Sequence, residues 1–229
     1  MKTIGLLGGM SWESSIEYER TINEYVRARL GGSASASLII RSYNFAEIHE
    51  LQDTGGWGAA GKRLAMDAAR LEESGAEIII LCTNTMHRLA DEIENAITVP
   101  FLHIADATAM AIVEDGARTV GLLGTRYTME DDFYAGRLRG FGLDVLVPEP
   151  ADRTMIHDVI YDELVRGIIS DDSRLKYLRV IDALATNGAE AIIAGCTEIE
   201  LLVRPSDLTV PYYPTARIHA EAAARLALE

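Results

Sequence analysis

Gly195-Cys196-Thr197-Glu198 sets a thiol, a hydroxyl and a carboxylate in consecutive positions, and Thr83-Asn84-Thr85 sets three small polar side chains in an earlier segment. Each motif follows a short apolar run, residues 78–81 or 191–194, that reads as a buried strand. Each precedes a stretch that reads as the start of a helix. Ligands bind at such strand ends in open α/β sheets. A helix N-terminus there offers unpaired N–H groups and a positive dipole end, which hold a carboxylate without a basic side chain. The same setting is expected to lower the pKa of a thiol from about 8.5 into the reactive range. General acid–base catalysis needs groups that change protonation near neutral pH. Cys196 is such a group. Thr83 is too weak an acid to form a base readily, but its hydroxyl can relay or return a proton.

The elements that must carry these residues are written twice. Ile4-Gly5-Leu6-Leu7-Gly8 answers Val120-Gly121-Leu122-Leu123-Gly124, Gly75-Ala76-Glu77 answers Gly188-Ala189-Glu190, and Val99-Pro100 answers Val210-Pro211. Three landmarks in one order indicate two related lobes. At the second landmark Thr83 falls opposite Cys196, Asn84 opposite Thr197 and Thr85 opposite Glu198.

In the first lobe, residues 3–7, 37–41 and 78–81 read as strands, and residues 17–30, 61–74 and 84–95 as helices. In the second, 120–123, 145–147 and 191–194 read as strands, and 155–168 and 173–186 as helices. An Ala-rich helix closes the chain at 216–228. Strands alternating with helices of this length predict an α/β protein. It has two pseudo-symmetric Rossmann-like lobes, each a parallel sheet with helices on both faces, and an active site in the cleft between them. The expected lobes are residues 1–100 plus 212–229, and residues 101–211. Two lobes facing each other would suit proton transfer at a carbon beside a carboxylate, one group acting on each face.

Composition narrows the function classes. The net charge of −14 lacks the basic footprint that nucleic acid requires. No stretch is long and apolar enough to span a bilayer, and a glycine pair breaks the apolar start too early for a signal peptide. Two cysteines, Cys82 and Cys196, make no disulfide framework and suit a reduced, cytoplasmic protein. No His/Cys cluster stands at metal-ligand spacing, and the five histidines are scattered. The glycines of residues 5–9 do not form the dinucleotide fingerprint.

Leu81-Cys82-Thr83-Asn84-Thr85-Met86-His87 and Gly195-Cys196-Thr197-Glu198-Ile199 resemble the two signatures of the aspartate/glutamate racemase family. Gly8-Gly9-Met10 and Gly124-Thr125-Arg126-Tyr127-Thr128-Met129 fit the same family. The resemblance covers the whole chain. It implies amino-acid racemisation by 1,1-proton transfer without pyridoxal phosphate or metal, a small amino-acid substrate, and a homodimer. Most members carry a cysteine where Thr83 stands, so the chain is most similar to the L-aspartate/glutamate-specific branch, which pairs a threonine with a cysteine. The resemblance implies Cys196 and Thr83 as catalytic residues. It implies Met10, Gln52, Asn84, Thr85, Thr125, Thr197 and Glu198 as substrate-binding residues, with Glu198 accepting from the substrate ammonium.

Cys82 lies one residue earlier on its strand and is expected to point away from the site. His87 reads as structural. Arg126, Arg166 and Arg217 are candidates for a distal carboxylate. Glu200 and Tyr213-Pro214 depart from the family pattern. Two other classes remain open: a single-cysteine lyase such as a decarboxylase of a substituted malonate, and a non-catalytic amino-acid binding protein.

Overall fold

The computed structural model describes residues 1–229. The chain forms two compact units, residues 1–104 with 216–229 and residues 105–215. The first unit contains β1 (Ile4–Gly8), α1 (Trp12–Leu30), β2 (Leu38–Ser42), α2 (Phe45–Asp53), α3 (Trp57–Glu73), β3 (Ile78–Leu81), α4 (Ala90–Glu94) and β4 (Phe101–Leu102). The second contains most of α5 (Ile104–Glu114), then β5 (Thr119–Gly124), α6 (Arg126–Glu130), α7 (Asp132–Gly140) and β6 (Asp144–Leu146). It continues through α8 (Pro150–Asp162), α9 (Asp171–Thr186), β7 (Ala191–Gly195), α10 (Ile199–Leu202) and β8 (Tyr212–Pro214). Helix α11 (Thr215–Leu228) returns to the first unit. No helix is long and apolar enough to cross a membrane.

Each unit holds one four-stranded sheet, ordered β2-β1-β3-β4 in the first and β6-β5-β7-β8 in the second. Every strand pair is parallel. The two-residue period of a strand separates the first unit's cores. Leu7, Ile79 and Leu81 pack on one face with α2, α3 and Met86. Ile4, Leu6, Ile78, Ile80 and Cys82 pack on the other with α1 and the alanines of α11. All four residues of β3 are buried, each worth roughly 1.5–3 kcal/mol of transfer free energy.

The repeat survives in the packing. A Cβ built on Gly5 would lie 2.7 Å from Ile79 Cδ1, and one on Gly121 2.7 Å from Ile192 Cδ1. Gly75 and Gly188 end α3 and α9 with φ of 100° and 103°, a region glycine enters without the Cβ penalty. Glu77 and Glu190 each accept a backbone N–H at the lower edge of their sheets, from Thr3 at 2.9 Å and from Arg118 at 2.6 Å.

Three expectations are corrected. The crossings between units fall a few residues later than 100/101 and 211/212, because β4 pairs with β3 and β8 with β7 before the chain leaves each sheet. The helix expected at 84–95 is a tight 3-10 turn, Thr85–Leu89, followed by α4. The helix expected at 155–168 begins earlier, on Pro150 in its first turn, and ends at Asp162 before a separate 3-10 turn at Leu164–Arg166. Pro has no N–H to lose in a first turn and is preset for helical φ, which makes it a good start.

Candidate active site

In both units the chain leaves the central strand toward one sheet neighbour and returns on its other side. This makes the carboxyl ends of β1 and β3, and of β5 and β7, the switch points where a crevice opens. In the first unit these ends carry Gly8-Gly9-Met10 and Cys82-Thr83-Asn84-Thr85. Gly9 has φ of 84°, and any Cβ there would strike the Tyr43 backbone. Its N–H donates to Ser15 Oγ at 2.6 Å. Met10, Thr83, Asn84 and Thr85 are all buried. Gln52, in the last turn of α2, is buried too, and its Nε2 reaches Met86 Sδ at 3.1 Å. The structure therefore brings Gln52 to the segment that follows Thr83, although the two are far apart in the chain.

Thr83 is held tightly. Its N–H donates to the Leu81 carbonyl at 2.9 Å, and its own carbonyl is bonded by His87 Nδ1 at 2.7 Å. Cys82 is fully buried among Ile78, Ile80, Tyr18 and the α11 alanines, and burial pushes its thiol far up. It does not present a thiol at the strand end.

In the second unit the corresponding ends carry Thr125 and Cys196-Thr197-Glu198. Thr125 caps α6, its hydroxyl accepting from the Thr128 N–H at 3.4 Å. The Cys196 thiol is 8 % exposed and donates to Glu198 Oε2 at 3.0 Å. Thr197 Oγ1 donates to the same oxygen at 2.7 Å. The Cys196 carbonyl accepts from the Ile199 N–H at 3.1 Å. Tyr177 of α9 and Tyr212 of β8 lie near the thiol; burial is the largest reason that ionising either is costly, and a charge on Cys196 would add to it. No sequence signal marked either one; Tyr212 merely follows the Val210-Pro211 landmark.

The electrostatics reverse one expectation. The Cys196 thiol is raised well above its ordinary value, not lowered. Burial is the largest cause, followed by the negative charge of Glu198 and the hydrogen bond the thiol gives it. Helix α10 has only four residues, too short for a strong dipole, and Glu198 at its N-cap and Glu200 in its first turn set two carboxylates at that end. Glu198, assigned by resemblance to the substrate ammonium, instead collects two hydrogen bonds from its own loop. A thiol on a carboxylate is a proton-transfer pair: the carboxylate can take the thiol proton when an incoming charge favours the thiolate.

The arginines named for a distal carboxylate are committed or exposed. Arg166 pairs with Asp162 at 3.8 Å and Arg217 with Glu221 at 2.9 Å, both on the surface, and Arg126 is exposed. No group of three or more His, Cys, Asp or Glu side chains could hold a metal ion.

Three of the five histidines, scattered in sequence, gather in space. His87, His103 and His219 are buried together in the first unit, with ring centroids of His87 and His103 4.4 Å apart and of His87 and His219 5.8 Å apart. Helical spacing brought His87 behind Thr83, and the crossing segments brought the other two.

A family model, Asp/Glu/hydantoin racemase, matches residues 7–223. The chain belongs to this family. The aspartate and glutamate racemases similar to it are isomerases. A candidate Asp/Glu racemase from Yersinia pestis has 52 % identity and a TM-score of 0.94, with all of both chains covered. An aspartate racemase homologue from Pyrococcus horikoshii OT3 has 35 % identity and a TM-score of 0.87, again over the whole of both chains. Broad specificity amino-acid racemase RacX of Bacillus subtilis (strain 168) is 27 % identical over 157 residues, 66 % of this chain and 64 % of that protein. The match thus spans just under two thirds of RacX. The two parallel four-stranded sheets with their helices are the α/β fold of the racemase structures.

Proposed function

We propose that the protein racemises aspartate, glutamate or both by 1,1-proton transfer, with Cys196 and Thr83 as the two proton-transfer groups. The observation that carries this reading is the Cys196 thiol bonded to Glu198 at 3.0 Å, at the strand end where the repeat sets Thr83 in the other unit. In the free protein the thiol is protonated. The positive ammonium of an amino acid bound beside it favours the thiolate. The thiol proton passes to Glu198 Oε2, and the sulfur takes the proton from the substrate α-carbon. Thr83 relays a proton from water to the opposite face, where the product has inverted configuration. Met10, Gln52, Asn84, Thr85, Thr125 and Thr197 are the substrate-contacting groups in this reading. A thiol that the bound ammonium can bring to ionise and a hydroxyl that it cannot make unequal bases. We therefore expect the enantiomer presented to Cys196, which we take to be L, to react faster.

A second reading, a single-cysteine lyase, is favoured by the burial of Cys82, which leaves one thiol at a strand end. Proton NMR of L-aspartate, D-aspartate and L-glutamate in D₂O separates the readings. The expected result is loss of the α-proton signal from an L substrate, followed by the D enantiomer on chiral chromatography, both abolished by Cys196→Ala. No exchange in any of the three despite measurable binding sinks the aspartate/glutamate reading. Release of CO₂ from a substituted malonate points to the lyase.

A further inference from the structure

Within the first unit, His87 lies between two backbone groups whose roles cannot be exchanged. Its Nδ1 is 2.7 Å from the Thr83 carbonyl oxygen, which only accepts. Its Nε2 is 3.2 Å from the Ile104 N–H, which only donates. Nδ1 must therefore carry the proton and Nε2 the lone pair. Geometry alone fixes a neutral imidazole in one tautomer. The ring is 1 % exposed and packs edge-on against His103 at 4.4 Å. His219, the other histidine neighbour, is held neutral by burial, which lowers its pKa to about 4. Its Nε2 donates to the Leu102 carbonyl at 2.8 Å, and in the neutral ring Nδ1 then accepts from Tyr18 Oη at 2.8 Å.

Thr83 sits in a turn too tight for ordinary helix bonds. Its N–H goes back to Leu81, and the His87 N–H goes to Asn84. The repeat makes the contrast plain. In the second unit the Cys196 carbonyl is bonded by a backbone N–H, that of Ile199, and the residue opposite His87 is Glu200.

On the racemase reading given above, we propose that His87 is a positioning residue for Thr83: a neutral, tautomer-locked imidazole that ties the Thr83 carbonyl to the first N–H of α5 and so aims the Thr83 hydroxyl at the substrate. The residue acts only on the Thr83 side of the reaction. Its loss should change how often proton removal ends in inversion, not how often Cys196 removes a proton.

The experiment compares His87→Asn, His87→Gln and wild type with L-aspartate in D₂O, reading α-proton loss by NMR and D product by chiral chromatography. Asn places its amide N–H near the Nδ1 position and keeps the bond to Thr83. Gln places its oxygen near Nε2, keeps the bond from Ile104 and loses the one to Thr83. The expected result is a ratio of inversion to exchange near wild type for His87→Asn and roughly tenfold lower for His87→Gln, the weight of one hydrogen bond, with exchange itself retained in both. Equal ratios in the two variants, or a fall in exchange and inversion together, overturn the proposal and leave His87 a packing residue. Long-range proton–nitrogen correlation on the wild-type protein is independent of activity and of variant folding. An Nε2–H or charged His87 ring overturns the proposal outright. Absence of exchange in wild type, with the Nδ1–H ring observed, strikes the racemase reading instead.

Discussion

Replacing Glu198 with Gln should lower the pKa of the Cys196 thiol and yet slow proton removal. The carboxylate raises the thiol's pKa in two ways. It accepts the S–H at 3.0 Å, and its charge opposes a thiolate beside it. A hydrogen bond to a charged acceptor is worth about 1.5–3 kcal/mol, enough for its loss to move the thiol's titration downward. Removal of the charge repulsion adds to this in the same direction. The shift is read from the pH dependence of alkylation by iodoacetamide, with intact-mass detection, in a Cys82→Ala background. The midpoint should fall in Glu198→Gln. Exchange of the L-substrate α-proton should meanwhile fall by about 10²-fold, the lower end of a general-base contribution, because the thiol has lost the group that takes its proton. An unchanged or higher midpoint would refute the account of the thiol's surroundings. A lower midpoint with faster exchange would show that Glu198 only restrains the thiol, and the proton-transfer pair would be abandoned.

Gly5→Ala and Gly121→Ala should each destabilise the protein by about 1–3 kcal/mol in urea unfolding, since the new Cβ would sit 2.7 Å from an isoleucine in a filled core; no loss in either would contradict the packing. Cys82 should stay unalkylated in the folded protein at any pH that alkylates Cys196, because it is fully buried and its thiol is pushed up by burial; peptide mapping checks this. His219 should make the protein acid-sensitive. Burial lowers its pKa to about 4, against about 6.5 when unfolded, so its contribution is complete above about pH 6.5 and is lost as pH falls toward 4. The full effect is about 3 kcal/mol. Unfolding free energy measured across that window should fall less steeply in His219→Gln, and an equal slope would count against a neutral buried ring.

Much of the fold was legible because its signals are local. The four-residue apolar run of β3 and the apolar stretch of β7 identify strands that are buried on both faces. Gly75 and Gly188 mark the ends of α3 and α9 because a positive φ is cheap only for glycine. The repeat located Thr83 opposite Cys196 before any coordinates, and the one-residue register argument put Cys82 in the core. The helix boundaries near 84 and 155 were less legible. The tight turn after Thr83 is imposed by the carbonyl bond to His87, and the early start of α8 by Pro150.

By itself, then, the sequence determined the two related lobes, their strand ends and the residue types set there, since periodicity, glycines and motif spacing are properties of neighbours in the chain. Only the tertiary structure decided the upward shift of the Cys196 thiol, the partners of Glu198, the approach of Gln52 to Met86 and the gathering of three distant histidines behind Thr83. The physical reason is that desolvation and hydrogen bonding act over a few ångströms in space. What lies within that reach is fixed by which segments pack together, not by how far apart they are written.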